Sequence, residues 1–196
     1  EMEAMARGGA KVLHKDAVAW ARRAGVALYA RSTFVESSRG TAIRLNPPPR
    51  ITPVVAVTGR KDMLVIRAGD HCADAVEALI AALPVQQRLR TVGGLNWLLA
   101  GEDLHEAGSL CAALEAAGAT TQRDYGSVSV VGSGLGETPD VYRQIHAHLG
   151  QYPGALTEAT WRALVPPENV DPLVRTLHRE LLEDAANRVA LDGPVN

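Results

Sequence analysis

The chain has 196 residues, 46% of them hydrophobic and 21% charged, with a net charge of −2. That is enough apolar material for one large or two small domains, and the near-neutral balance gives no reason to expect nucleic acid. No run approaches the roughly 20 apolar residues of a membrane span and no charged-then-apolar leader opens the chain, so the expectation is a cytoplasmic protein away from membranes.

Charge is unevenly spread. Residues 1–50 hold nine Lys/Arg against four Asp/Glu, a net +5, which leaves −7 for the rest. Such a segment faces an anion, packs on the acidic remainder, or merely carries charge drift on a solvated face.

In chain order, Met2 to Arg23 reads as one helix, with Leu13, Ala17, Trp20 and Ala21 at three- and four-residue steps and Gly25 as its cap. Strands follow at Val26–Ala30 and Thr41–Leu45, and Pro47-Pro48-Pro49 marks a linker. Ile51–Thr58 and Met63–Arg67 read as strands around a turn at Gly59–Asp62. Asp70–Leu83 reads as a helix with Ala75, Leu79 and Leu83 on one stripe. Then come a strand at Leu95–Ala100 and a helix at Asp103–Ala117 with Leu110 and Leu114 inward. The order repeats with strand Ser127–Val131, a glycine loop, helix Pro139–Leu149, strand Thr160–Val165 and helix Asp171–Asp184. Asn96-Trp97-Leu98-Leu99 and Thr160-Trp161-Arg162-Ala163 occupy equivalent places, which points to a duplicated ferredoxin-like unit and an α+β fold.

Few motifs carry chemistry. Gly132-Ser133-Gly134-Leu135-Gly136-Glu137 precedes a helix start, where free amides can hold a carboxylate or phosphate. Glu137 stands where the dinucleotide fingerprint needs glycine, so a small carboxylate site and a purely structural turn remain. No Cys/His set has metal spacing. Cys72 and Cys111 lie in alanine-rich helical patterns as packing residues, and His146 and His148, two apart on a helix, diverge. No catalytic residues are assigned.

The opening stretch nevertheless has an ordered signature: Gly9-Ala10-Lys11-Val12-Leu13-His14, then Ala24-Gly25-Val26, Arg31-Ser32-Thr33-Phe34 and Gly40-Thr41-Ala42-Ile43. It resembles the end of the catalytic domain of aspartate kinases. The remainder is similar to the two ACT modules that follow that domain, with Ser127–Gly132 resembling the first strand of the second module. Val165-Pro166-Pro167-Glu168 and Val174–His178 resemble that module's last strand and helix.

The resemblance implies an α/β sandwich of tandem βαββαβ ACT modules after the terminal helix and strands of an amino-acid-kinase domain. Its divisions are a kinase remnant at 1–46, a proline linker at 47–50, module one at 51–124 and module two with the tail at 125–196. It implies a parent enzyme that phosphorylates L-aspartate with ATP and magnesium in lysine, threonine and methionine biosynthesis. The family's Lys-Phe-Gly-Gly-Thr segment has no match here, so this chain alone is not expected to be a kinase or to need a cofactor. It is expected to regulate a kinase domain present in cis or in trans.

By the same resemblance Lys11 and Val12 border the ATP site, and Asp70, His71, Ser133, Gly134 and Leu135 belong to effector loops for lysine or threonine, in a homodimer built through the ACT modules. There are departures. Lys15 replaces the proline after His14, Cys72-Ala73 replace Pro-Gly in the first effector loop, and Val92-Gly93 stand near an expected Gln-Asn pair. They support an alternative, a non-catalytic degenerate ACT pair used for assembly, in which Trp97 and Trp161 are contact anchors or core.

Overall fold

A computed structural model describes residues 1–10, 13–31, 33–34, 40–45 and 52–184. The N-terminal segment is two helices rather than one, α1 (Met2–Gly8) and α2 (Lys15–Ala24). The helical periodicity is interrupted by Gly8-Gly9: Gly9 adopts a left-handed φ of 109° and its amide turns back to the Ala6 carbonyl, which ends α1. A short hairpin-like pair follows, β1 (Leu28–Ala30) against β2 (Thr41–Ile43). The three prolines lie outside the described residues.

The rest is one six-stranded antiparallel sheet. Its elements are β3 (Val54–Ala68), α3 (Ala73–Ile80), β4 (Gln87–Thr91), β5 (Gly94–Ala100), α4 (Ala107–Ala116), β6 (Thr120–Gly132), α5 (Pro139–Leu149), β7 (Gly154–Thr157), β8 (Thr160–Val165) and α6 (Val170–His178). The spatial order is β4-β5-β3-β6-β8-β7. Two ferredoxin-like βαββαβ units are embedded in it. In the first, β3, β4, β5 and β6 are strands one to four in the order four-one-three-two. In the second, β6, β7 and β8 are strands one to three, and the place of the fourth is taken by the first half of β3, which pairs with β6 from Val54 to Arg60. The fold is therefore α+β, and position 124/125 falls inside β6.

Strands β3 and β6 thus run through both units. The turn expected at Gly59–Asp62 is absent because the ladder to β6 continues across it, from Arg60 opposite Ser127 to Met63 opposite Tyr125, with a register shift between. The polar residues that imitate a turn are ladder residues with outside partners. Lys61 pairs with Asp171 at 2.7 Å, Asp62 with Arg123 at 3.0 Å, and Arg60 with Glu102. Strands β4 and β7 are edge strands without a clear sequence signature, since Gln87–Thr91 is short and largely polar and Gly154–Thr157 has only four residues.

Helices cover one face of the sheet. Under α5 and α6 lie Val128, Val130, Ile145, Leu149, Trp161, Ala163, Val165 and Leu177; under α3 and α4 lie Leu64, Ile66, Val76, Ile80, Trp97, Leu99 and Leu114. In α3 the buried stripe is Ala73, Val76 and Ile80, while Ala75 and Leu79 face solvent, one position out of phase with the expected stripe. A 3-10 turn at Asp70–Cys72 starts the segment and rotates the helix that follows. Cys72 and Cys111 are free thiols packed in this cluster.

Trp97 is fully buried, and its indole Nε1 donates to Glu77 Oε1 at 2.6 Å. The hydrogen bond from Arg88, then that from Trp97, holds the Glu77 carboxyl below the ordinary carboxylate range.

The other face also closes. Met63, Val65, Leu98 and Ala100 pack with Leu164, although two strands separate β5 from β8. The sheet is curled enough to bring those strands together, so β8 is buried on both faces along its whole length.

Helix α6 comes close to β3 at Gly59. A Cβ added there would lie 2.5 Å from Val170 Cγ1 and 2.9 Å from Val174 Cγ2. Gly59→Ala should therefore lower stability in urea titrations by about 1–3 kcal/mol, with partial recovery on adding Val170→Ala. Gly93→Ala, where a Cβ meets nothing within 4 Å, should stay within about 0.5 kcal/mol of the parent.

Candidate functional site

The two predicted effector loops sit at opposite ends of β3. Asp70 and His71 follow its C-terminal end; Ser133–Leu135 follow Gly132, which pairs with Val54 at its N-terminal end. The fold does not bring them together within one chain. Lys11 and Val12 lie outside the described residues, as does the side chain of Lys15.

In the first loop Asp70 is exposed and its carboxylate accepts from Arg90 Nη1 at 2.8 Å. His71 is exposed as well. Cys72, where the resemblance expects proline, is buried, with its thiol 3.4 Å from the Gly69 carbonyl and 3.6 Å from that of Gly118. The first loop is thereby tied to the end of α4.

The second loop is turned inward on itself. The Gly134 carbonyl accepts from the Glu137 amide at 3.0 Å and from the Thr138 amide and hydroxyl, both at 3.2 Å. The Ser133 amide donates to the Pro53 carbonyl at 3.1 Å and its hydroxyl to Glu1 Oε1 at 3.0 Å. Three amides of the glycine loop are thus already donating within the protein. Leu135 is a core residue, 1% exposed, packed in the cluster with Val54, Val57 and Ile145.

The histidines stay apart. His146 packs by Tyr142 and Trp161, whereas His148 meets Glu180 at 2.8 Å. Among the described residues no group of three or more His, Cys, Asp or Glu is disposed to hold a metal ion, and no helix is long and apolar enough to cross a membrane.

Two cavities flank the N-terminal helices. One of about 540 Å³ lies between α1, α2 and β2, with Met5, Val18, Ala21, Val26 and Ile43 in its wall. The other, of about 390 Å³, lies between α1 and the far face of the sheet and contains Arg162, Gln86 and Gln87. Sequence reasoning passed over these three. The signal was there in Arg162, a lone cation inside the otherwise uncharged run Thr160–Val165. The N-terminal segment docks on this face because Arg60 donates to the Ala6 and Arg7 carbonyls at 3.2 Å each, satisfying the open end of α1.

With the geometry in place, solved structures supply the comparison. Escherichia coli aspartokinase III in its aspartate- and ADP-bound R-state superposes with a TM-score of 0.74 at 19% identity, covering 92% of this chain and 45% of that one. The same enzyme with lysine and aspartate in the T-state gives 0.68 at 20% identity, with the same coverage. The ligand-free regulatory subunit of aspartate kinase from Thermus thermophilus gives 0.53 at 20% identity, covering 65% of this chain and 97% of that one.

The chain has the fold of an aspartokinase regulatory region. It spans less than half the length of the E. coli enzyme it matches. No protein-family model matches the sequence, and no curated protein matches it significantly.

Core and loop roles separate by mutation. Leu135→Ala should cost about 2–5 kcal/mol in urea unfolding, as for a buried leucine. Asp70→Ala, which removes an ion pair exposed on both sides, should cost no more than about 1 kcal/mol.

Proposed function

We propose that the chain is the regulatory, amino-acid-sensing portion of an aspartate-kinase-type enzyme and acts on a kinase domain carried in cis or in trans. The observation that carries this reading is the match over 92% of the chain to a full-length aspartokinase, together with the match to a regulatory subunit almost throughout that subunit's length. In the parent, ATP and L-aspartate are substrates of a domain whose phosphate-cradling segment has no counterpart in this sequence. In this reading the chain binds an effector and pairs with a second copy through its two ACT-like units, which share β3 and β6.

Lysine and threonine are the effectors implied by the resemblance, with Asp70 and His71 at one loop and Ser133 and Gly134 at the other. A second reading draws support from the loops themselves. Asp70 is engaged by Arg90, and the glycine loop spends its amides on the Gly134 and Pro53 carbonyls. A degenerate pair of this kind would serve assembly without sensing.

Thermal unfolding with lysine, threonine or methionine tests the sensing role. An effector that binds only the folded chain should add about 2.7 kcal/mol at a hundredfold excess over its Kd, with a saturable rise in Tm. No rise with any of the three, with retention on an immobilised kinase domain, would instead establish the assembly role.

A further inference from the structure

Helix α1 is held to the sheet by polar contacts more than by packing. Of its seven residues only Ala6 and Gly8 are buried. A cavity of about 390 Å³ has Ala4 and Arg7 in its wall, and another of about 540 Å³ has Met2 and Met5, so voids lie along two sides of the helix. Well-packed interiors leave few gaps wider than a water molecule. A seven-residue helix has too few internal hydrogen bonds to persist without packing of that kind.

The surface beneath α1 is also unfavourable to cover. Gly8 lies against Thr58, whose Oγ1 is buried with no hydrogen-bond partner among the described residues. Arg162 lines the smaller cavity together with Ala4 and Arg7 and is 7% exposed. Burial, and then the positive charges of Arg60 and Arg7, lower its pKa to about 10. Both groups regain water if α1 lifts, so docking costs desolvation at each.

Two grips oppose these costs. At the C-terminal end of α1, Arg60 donates from Nε to the Arg7 carbonyl and from Nη2 to the Ala6 carbonyl, at 3.2 Å each, while Glu102 holds its Nη1. At the N-terminal end, the Ser133 hydroxyl donates to Glu1 Oε1 at 3.0 Å. Glu102 follows β5 of the first unit and Ser133 opens the glycine loop of the second, so both units hold the helix.

We propose that α1 is a latch: it lifts from β3 and β6 while the sheet stays folded, and the Arg60 guanidinium, shared between the last carbonyls of α1 and Glu102, sets how often it is open. Opening uncovers the polar row Thr58, Ser129 and Arg162. A change at the Glu102 turn or at the glycine loop biases the latch, which lets the N-terminal segment respond to either unit. That response rests on the regulatory reading; the opening itself does not.

Native-state hydrogen exchange on the full chain tests the opening. The amides of Met5 and Ala10 donate to the Glu1 and Met5 carbonyls. Their protection factors should lie at least about a hundredfold below those of Val65 and Leu99 in the sheet. Arg60→Lys keeps the charge but loses the fork, and should lower the protection of α1 about a further tenfold relative to the sheet. Thr58→Val replaces the unpartnered hydroxyl with a methyl of similar shape and should raise it about fivefold.

Gly8→Ala separates a latch from simple fraying of a helix end. Fraying predicts more protection, because alanine strengthens a helix. A latch predicts less, because the added Cβ, 2.3 Å from Thr58 Oγ1, pushes α1 off the sheet. Protection of α1 equal to that of the sheet would overturn the proposal, as would a rise with Gly8→Ala or no change with Arg60→Lys.

Discussion

The antiparallel pairing of β3 with β6 is the constraint on which the rest of the structure depends. The ladder runs from Val54 opposite Gly132 to Arg67 opposite Thr120, and each strand belongs to both ferredoxin-like units. Because side chains alternate between faces, a one-residue slip in this pair would send Val128 and Val130 out of one helical core and Leu64 and Ile66 out of the other. Both cores therefore hold the same register. The pairing also fixes where function can sit, since the loops that leave the two strands emerge at opposite ends of the sheet.

Curling of the sheet creates a second interior on the face away from the helices. Its apolar part, Met63, Val65, Leu98, Ala100 and Leu164, gives way to the polar row Thr58, Ser129 and Arg162 where α1 lies across the sheet. Gly8 permits that approach, since a Cβ there would meet Thr58 Oγ1 at 2.3 Å. Glu3 is shared between Arg7 and Arg22, and Arg60 caps α1 while pairing with Glu102. The ion pairs of Arg7 and Arg22 are made within the segment by Glu3, which the +5 already counts, so they leave the charge asymmetry unexplained.

Much of the fold was legible because long apolar periodicities survive in a single sequence. Pro139–Leu149 and Thr160–Val165 have the predicted bounds, and the repeated Trp97 and Trp161 segments are equivalent third strands of the two units. The edge strands β4 and β7 were not legible, because an edge is made by its neighbour's hydrogen bonds and Gln87–Thr91 carries no apolar alternation of its own. The Arg60-Lys61-Asp62 segment misled for a related reason: ion partners brought from Glu102, Asp171 and Arg123 let three charged residues remain in a strand interior. Leu135 reads as part of a ligand loop in sequence and is core in space. The cavity around Arg162 depends on β4 meeting β8 across the curled sheet, which no local pattern encodes.

Native-state hydrogen exchange tests most directly whether the shared strands make one cooperative body. The amides of Val57 and Val130, in the second unit, and of Val65 and Leu99, in the first, should open with the same free energy. They should also show the same denaturant dependence, as members of a single global unfolding event. Two groups that open at different free energies, divided between the halves of β3, would contradict the account.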